Sequence, residues 1–323
     1  MATNTASKPI KILITGGSGL IGSALIDRLI DNHLLYIVGR TKENIAKTVL
    51  THPNFKFIDF DLSKDMEFNF NESVDCVVHL AAVTSGISHK QFSSYDKLNV
   101  MGTKKIVSWT QKNSIRKFIF ASSISVYGDT LNQEAITETN VLKGNTNYSL
   151  SKIDAERIVL DSLTNATVFR IASVYGINSK GLVQKLIQMA KKNFVPYPFS
   201  GNFRKSFIFL DDLVEFFVRV IENNVKGVFN ISHPEEVLYG DLLEIIQSQL
   251  KLRILLKIPL NQTLINIFST FIRFISLNQK SLDAGALFSP VVVNSSKAYK
   301  HFDYTPKISI EEGIQKLLDG KKE

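Results

Sequence analysis

Cysteine is nearly absent from this chain of 323 residues. With Cys76 alone, no internal disulfide can form, and a reducing compartment, the cytoplasm, is expected. Cys76 itself reads as buried filler rather than a nucleophile. Long apolar runs are missing as well. The most apolar stretch, residues 254–276, is broken by Lys257, Asn261, Gln262, Asn266 and Arg273, short of the roughly 18 uncharged residues a span needs. It reads as an amphipathic helix, with a membrane-surface helix as the alternative. Met1–Pro9 is polar and has no apolar h-region, so no signal peptide is expected. The histidines are scattered, and no Cys/His group has metal-ligand spacing, so no metal is expected. There is no Gly-x-Ser-x-Gly elbow, and His79 sits in an apolar strand pattern as a packed core residue rather than a triad member. Repeats, low-complexity tracts and Pro/Gly-rich linkers are also lacking.

The sequence does carry a net charge of +8. Nucleic acid is the obvious partner to consider, yet the lysines and arginines are dispersed, with no aromatic-interleaved basic run. A solvated surface and a small anionic ligand explain the charge better, and no nucleic-acid partner is expected. At 44% hydrophobic, the chain can bury a large core in one or two domains.

Its first half alternates short β-branched or aromatic runs with longer helical stretches. Ile10–Thr15, Leu35–Val38, Phe55–Ile58, Cys76–Leu80, Lys117–Ser122 and Thr167–Ile171 read as buried strands. Leu20–Asn32, the region after Thr41, Gln91–Asn113 and Tyr148–Leu163 read as helices. This alternation implies an α/β fold with a doubly wound parallel sheet. Beyond Gly176 the pattern loosens into a smaller, mostly helical lobe, with Phe207–Leu210 and Val228–Ile231 as further strands.

Glycines 16, 19 and 22 in Thr15-Gly16-Gly17-Ser18-Gly19-Leu20-Ile21-Gly22 lie between the first strand and the first helix. A tight turn there lets the backbone approach a pyrophosphate, which meets the free N–H groups and positive dipole end of the helix. Tyr148 and Lys152 are one helical turn apart, so an ammonium can sit near the phenol and favour phenolate. A tyrosine titrating near its unperturbed value of about 10 is a poor base at neutral pH, so this lowering is what the chemistry requires. Ser122-Ser123 precedes them at a strand end.

These motifs, together with Asp61-Leu62, Asp75–Ala82, Asn99 and Gly102-Thr103, resemble the extended short-chain dehydrogenase/reductase family, of the nucleotide-sugar 4-epimerase and 4-keto-reductase type. The resemblance runs from Lys11 to about Lys316. It implies a Rossmann-like domain over residues 1–176 plus about 205–231, and a substrate-binding lobe over 177–204 and 232–323. It implies Tyr148 as the acid/base and Lys152 as the group that orients the ribose and lowers the tyrosine pKa. Ser123 would hydrogen-bond the reacting oxygen, and Asn99 would be the structural and catalytic asparagine. Gly16, Ser18, Gly19, Leu20, Ile21, Gly22, Asp61, Leu62, Ala81 and Ala82 would line the cofactor together with Tyr148 and Lys152.

Selectivity residues depart from the family pattern. NAD-selective members place an acidic residue near position 39, where this chain has Gly39-Arg40. Arg40 can pair with a 2′-phosphate, or merely stack on the adenine or point to water; NADP is the preferred cofactor, with NAD as the alternative. Ser173 stands where familiar epimerases carry Asn. Arg204 and Lys205 match the segment whose arginine grips a substrate diphosphate, or are surface charge. The resemblance further implies a nucleotide-sugar substrate and a homodimer packed through the helices around 91–113 and 148–163. Reduction at C4 of a 4-keto sugar is the leading expectation, then 4-epimerisation. A non-catalytic dinucleotide sensor is a remoter alternative, disfavoured by the intact Ser123, Tyr148 and Lys152.

Overall fold

Short runs of β-branched and aromatic residues build the strands of a central sheet. The computed structural model describes residues 9–43, 45–84, 95–128, 135–198, 203–260 and 290–320. In chain order the first elements are β1 (Lys11–Thr15), α1 (Leu20–Leu29), β2 (Leu34–Gly39), a short α2 (Lys47–Leu50), β3 (Phe55–Asp59) and β4 (Cys76–His79). A π-helical segment, Tyr95–Gly102, runs directly into α3 (Thr103–Lys112). Next come β5 (Lys117–Ser123), a 3₁₀ turn (Ile124–Tyr127), α4 (Asn147–Ser162), β6 (Ala166–Ile171) and β7 (Ser173–Tyr175). The remainder comprises α5 (Leu182–Ala190), β8 (Phe194–Pro198), β9 (Arg204–Phe209), α6 (Leu210–Glu222), β10 (Gly227–Ile231), β11 (Glu236–Leu238), α7 (Tyr239–Gln249) and β12 (Leu256–Leu260). Two last helices, α8 (Ser296–Phe302) and α9 (Ile310–Asp319), end the described chain.

Seven strands form one parallel sheet in the order β10-β6-β5-β4-β1-β2-β3. Alternate residues of each strand face opposite layers. Ile12 and Ile14 pack with Leu25, Leu29, Phe216, Phe217 and Phe302 from α1, α6 and α8. Leu13, Tyr36 and Val77 pack with Ile106, Trp109, Ala155 and Val159 from α3 and α4. Burial on both faces explains why these strands read as continuous apolar runs. The strand order reverses between β1 and β4, which opens a crevice at their carboxyl ends.

A second core joins α5, α7 and α9 through Leu186, Ile187, Leu242, Ile246, Ile314 and Leu317. Residues 210–231 supply α6 and β10 to the main body, while β9 pairs with β7 and β11 in a separate three-stranded sheet. Among the described residues the lobe is mostly helical, with the short strands β8, β11 and β12 between its helices. One expected element is overturned in its described part. Leu256–Leu260, read as the start of a helix over 254–276, is a strand in parallel register with Phe194–Pro198. Pro259 has no N–H and disfavours a helix interior. Ile254, Leu256 and Ile258 also recur at the two-residue period of a strand and are exposed. Residues 261–276, like 91–94 of the helix expected over 91–113, lie outside the described residues. No helix among the described residues is long and apolar enough to cross a membrane.

Candidate active site

The glycine loop closes the crevice from the β1 side. Gly16 has a φ of 76°, and a Cβ there would stand 2.7 Å from the Ala81 nitrogen, so only glycine fits between the ends of β1 and β4. A Cβ on Gly22 would collide with the Gly16 carbonyl. Gly19 caps α1 without a side-chain hydrogen bond, and the first turn of α1 contains no acidic residue. The leading N–H groups of α1 therefore have no carboxylate competing for them, and their dipole faces the mouth of the crevice. This cradle fits the pyrophosphate of a dinucleotide. Ser18 and Gly19 are exposed at the tip, with Leu20 and Ile21 half-buried behind them.

The adenosine side is set by the ends of β2 and β3. Arg40 is exposed just past Gly39, and Leu62 is buried. The Asp61 carboxylate accepts from the Ser63 amide at 3.0 Å and hydroxyl at 2.6 Å. Partial burial raises its pKa, but the Ser63 bonds and the Arg40 and Lys64 charges outweigh this and hold it below the usual carboxylate range.

At the carboxyl end of β5, Ser123 caps the 3₁₀ turn. Its hydroxyl accepts from the Ser125 amide at 3.2 Å and the Ser125 hydroxyl at 3.0 Å. Both lone pairs are thereby filled, and the Ser123 proton is left to point toward the neighbouring Tyr148, whose pKa it pulls down. Tyr148 sits in the first turn of α4, whose start is pinned by a capping box between Thr146 and Ser149. Lys152 follows one turn later, buried, with Nζ donating to the Ala121 carbonyl at 2.8 Å and lying 4.8 Å from the centroid of the Phe120 ring.

Ser123, Tyr148 and Lys152 therefore share one end of the sheet. Burial pushes the Tyr148 phenol up to about 12; the Ser123 bond opposes this and the neighbouring Tyr95 adds to it. Burial likewise pulls Lys152 down to about 8, against the opposing pull of Glu156. The ammonium spends itself on the Ala121 carbonyl, and desolvation dominates at the phenol. The protein alone thus keeps Tyr148 a protonated acid rather than a phenolate.

Asn99 is buried, and its amide is fully engaged. Oδ1 accepts from the Val83 amide at 2.7 Å, while Nδ2 donates to the Val83 carbonyl at 3.0 Å and to Ser151 Oγ at 2.9 Å. Asn99 thereby ties the chain leaving β4, with Ala81 and Ala82, to α4. Ser173 opens β7, two residues beyond Ile171, the register partner of Ser123. Arg204 is exposed and paired with Glu236 at 3.1 Å, while Lys205 is buried opposite Val237. Arg204 can thus exchange its exposed carboxylate for a ligand at small cost, whereas Lys205 presents less of itself to solvent.

Several residues here were not legible as site residues. Ser125 fixes the Ser123 proton, and Tyr95 places its ring 6.4 Å from that of Tyr148. Beneath the site, Glu156 receives Arg170 Nη2 at 2.8 Å and the Ser122 hydroxyl, and Arg170 Nη1 also donates to Tyr127 at 2.9 Å. The only hint was spacing: Tyr148, Lys152 and Glu156 recur every four residues on one face of α4. Cys76 is buried, its thiol pushed up to about 12, which agrees with an inert core position. Among the described residues no group of three His, Cys, Asp or Glu is placed to hold a metal.

Residues 12–232 match the model of the NAD dependent epimerase/dehydratase family, and the chain belongs to that family. Its homologues are NAD-dependent nucleotide-sugar epimerases, dehydratases and decarboxylases of the short-chain dehydrogenase/reductase type, and the chain spans little more than half the length of some of the curated relatives it matches. The chain is 29% identical over 262 residues to UDP-glucuronic acid decarboxylase 4 of Arabidopsis thaliana, an alignment covering 75% of this chain and 57% of that protein. A putative UDP-glucose 4-epimerase of Methanocaldococcus jannaschii is likewise 29% identical, over 75% of this chain and 83% of that one. The fold superposes with a TM-score of 0.77 on UDP-glucuronic acid 4-epimerase from Bacillus cereus in complex with UDP-glucuronic acid and NAD. That match has 23% identity and covers 97% of this chain and 99% of the other.

Proposed function

We propose that the chain reduces a nucleotide-linked 4-keto, 6-deoxy hexose at C4 with NADPH, in the biosynthesis of a polysaccharide or glycoconjugate. The observation that carries the reading is the end of β2, where Gly39 and the exposed Arg40 replace the acidic residue that would hold a ribose 2′-hydroxyl. A nucleotide-sugar substrate is supported by relatives whose names specify UDP-linked sugars. Bound NADPH supplies the hydride to C4. Tyr148 delivers its phenolic proton to O4, a role that suits a phenol held protonated at neutral pH. Ser123, its lone pairs occupied by Ser125, directs its own proton toward Tyr148 and the reacting oxygen. Lys152 orients the nicotinamide ribose, and Arg204, aided by Lys205, receives the substrate diphosphate next to Ser173. The exposed Leu150, Leu160 and Met101 on α4 and the segment before α3 suit a homodimer built through these helices.

A 4-epimerase holding NAD is the second reading, favoured by the two relatives that carry that activity in their names. An epimerase oxidises C4 first and therefore needs phenolate at the outset. Incubation with a UDP-4-keto-6-deoxyhexosamine and NADPH decides between them. Stoichiometric loss of reduced-nicotinamide absorbance is expected. Epimers formed from UDP-glucose or UDP-N-acetylglucosamine without added cofactor, with NAD surviving purification, would overturn the reductase.

Cofactor choice is separately testable. A charge-assisted bond from Arg40 to the 2′-phosphate is worth on the order of 1.5–3 kcal/mol, or about 10–100-fold in favour of NADPH over NADH. A Cβ on Gly39 would meet Phe57 at 3.4 Å, an ordinary contact, so an aspartate fits there. Gly39→Asp with Arg40→Ser is expected to reverse the preference in titrations of the apo-protein. Equal affinities in the wild type would show that Arg40 does not read the phosphate.

A further inference from the structure

His79 is fully buried on β4, between two threonine hydroxyls. Nδ1 lies 2.6 Å from Thr15 Oγ1, and Nε2 lies 2.9 Å from Thr103 Oγ1. The surrounding donors fix the direction of every proton. Thr103 donates to the Asn99 carbonyl at 2.6 Å, so it accepts from Nε2–H. Thr15 Oγ1 already accepts the Ala81 amide at 3.1 Å, so its own proton goes to Nδ1. The opposite tautomer would strand the Thr15 proton and break the bond to Asn99. Burial drives the imidazole pKa down to about 3, with the Lys152 charge acting the same way, so the ring stays neutral.

The chain of bonds does not stop there. Asn99 Nδ2 donates to Ser151 Oγ at 2.9 Å, and Ser151 Oγ donates to the Tyr148 carbonyl at 2.8 Å. At the other end, Thr15 is the last residue of β1, directly before Gly16. A single ordered path thus runs from the glycine loop through Thr15, His79, Thr103, Asn99 and Ser151 to the backbone of Tyr148. We infer that His79 is a positioning residue that holds the first turn of α4 in register with the glycine loop, so that filling the loop orders the helix start bearing Tyr148. This rests on the dinucleotide reading of the glycine loop and on Tyr148 as the acid. His79 acts through its neighbours and touches no reacting atom.

Hydrogen–deuterium exchange of the full chain with and without saturating ADP tests this. ADP has a diphosphate for the loop but no nicotinamide riboside to touch Tyr148 directly. In wild type, ADP is expected to slow exchange at residues 16–22 and also at 147–152, the latter on the order of 2–30-fold. His79→Leu, which cannot bridge the hydroxyls, should keep the slowing at 16–22 and ADP affinity within a few fold, and lose the slowing at 147–152. His79→Gln, with an acceptor and a donor at similar separation, should restore it. A merely structural role would lower stability in both variants without separating the two segments. If His79→Leu does not fold, Thr103→Val breaks the same path at the next hydroxyl and is scored the same way. Slowing at 147–152 that survives in the leucine variant, or that glutamine fails to restore, overturns the inference. Slowing at 16–22 alone in wild type overturns it while leaving the dinucleotide reading intact. No slowing at 16–22 in wild type overturns both.

Discussion

Tyr148→Phe is expected to cut turnover by on the order of 10²–10⁴, the usual worth of one positioned acid/base, while leaving cofactor affinity within a few fold. The phenylalanine ring keeps its place beside Tyr95, the capping box of α4 is untouched, and Ser123 remains fixed by Ser125. Only the proton path is removed. The pH profile carries a second expectation. Tyr148, pushed up to about 12, keeps its proton through the neutral range, so its loss does not limit reduction there. Lys152, pulled down to about 8, is an ammonium below that pH and neutral above it. Turnover is therefore expected to fall as pH rises through about 8. A variant retaining more than a third of wild-type turnover, with chemistry limiting the rate, removes Tyr148 from its role. A profile flat to pH 10 removes Lys152 from the rate-determining step.

The parts of this site that the sequence displayed are those whose geometry follows from local rules. Buried parallel strands demand continuous β-branched runs, so β1 to β6 were recognisable to within a residue or two of their ends. The glycine spacing is dictated by close approach, as the contacts of Gly16 and Gly22 bear out. Tyr148 and Lys152 share a face because helices repeat every 3.6 residues. The protonation of that pair was not readable. It depends on where the Lys152 ammonium points and how much water reaches the phenol, and those are tertiary facts. The stretch from 254 misled for a related reason: a short apolar run suits helix or strand alike, and pairing with Phe194–Pro198 decided the described part. The His79 path joins residues 24 and 64 positions apart, a separation at which no periodicity operates.

Arg170→Met is expected to be the most destabilising single change near the site. Glu156 and Arg170 are both buried. Arg170 Nε lies 3.2 Å and 3.1 Å from the two carboxylate oxygens, and Nη2 lies 2.8 Å from Oε2. Removing the guanidinium leaves a buried carboxylate with the Ser122 hydroxyl but no counter-charge, and it also unties Tyr127 and the Glu138 carbonyl. Breaking one side of such a pair costs about 3–5 kcal/mol, which for a chain of this size lowers the melting temperature by roughly 4–7 °C. Replacing both partners, as Glu156→Leu with Arg170→Met, removes the stranded charge together with its partner. The double variant should then recover more than half of the loss, since the pair's mutual attraction largely repays its own desolvation. Urea unfolding of wild type, both single variants and the double variant measures this directly. A double variant no more stable than Arg170→Met would place the cost in Tyr127 and the 138 loop instead. The consequence reaches the chemistry, because Ser122 precedes Ser123 and Glu156 lies one turn beyond Lys152. The ion pair therefore fixes the floor on which both groups stand, and activity in the single variant should fall at temperatures where the protein is still folded.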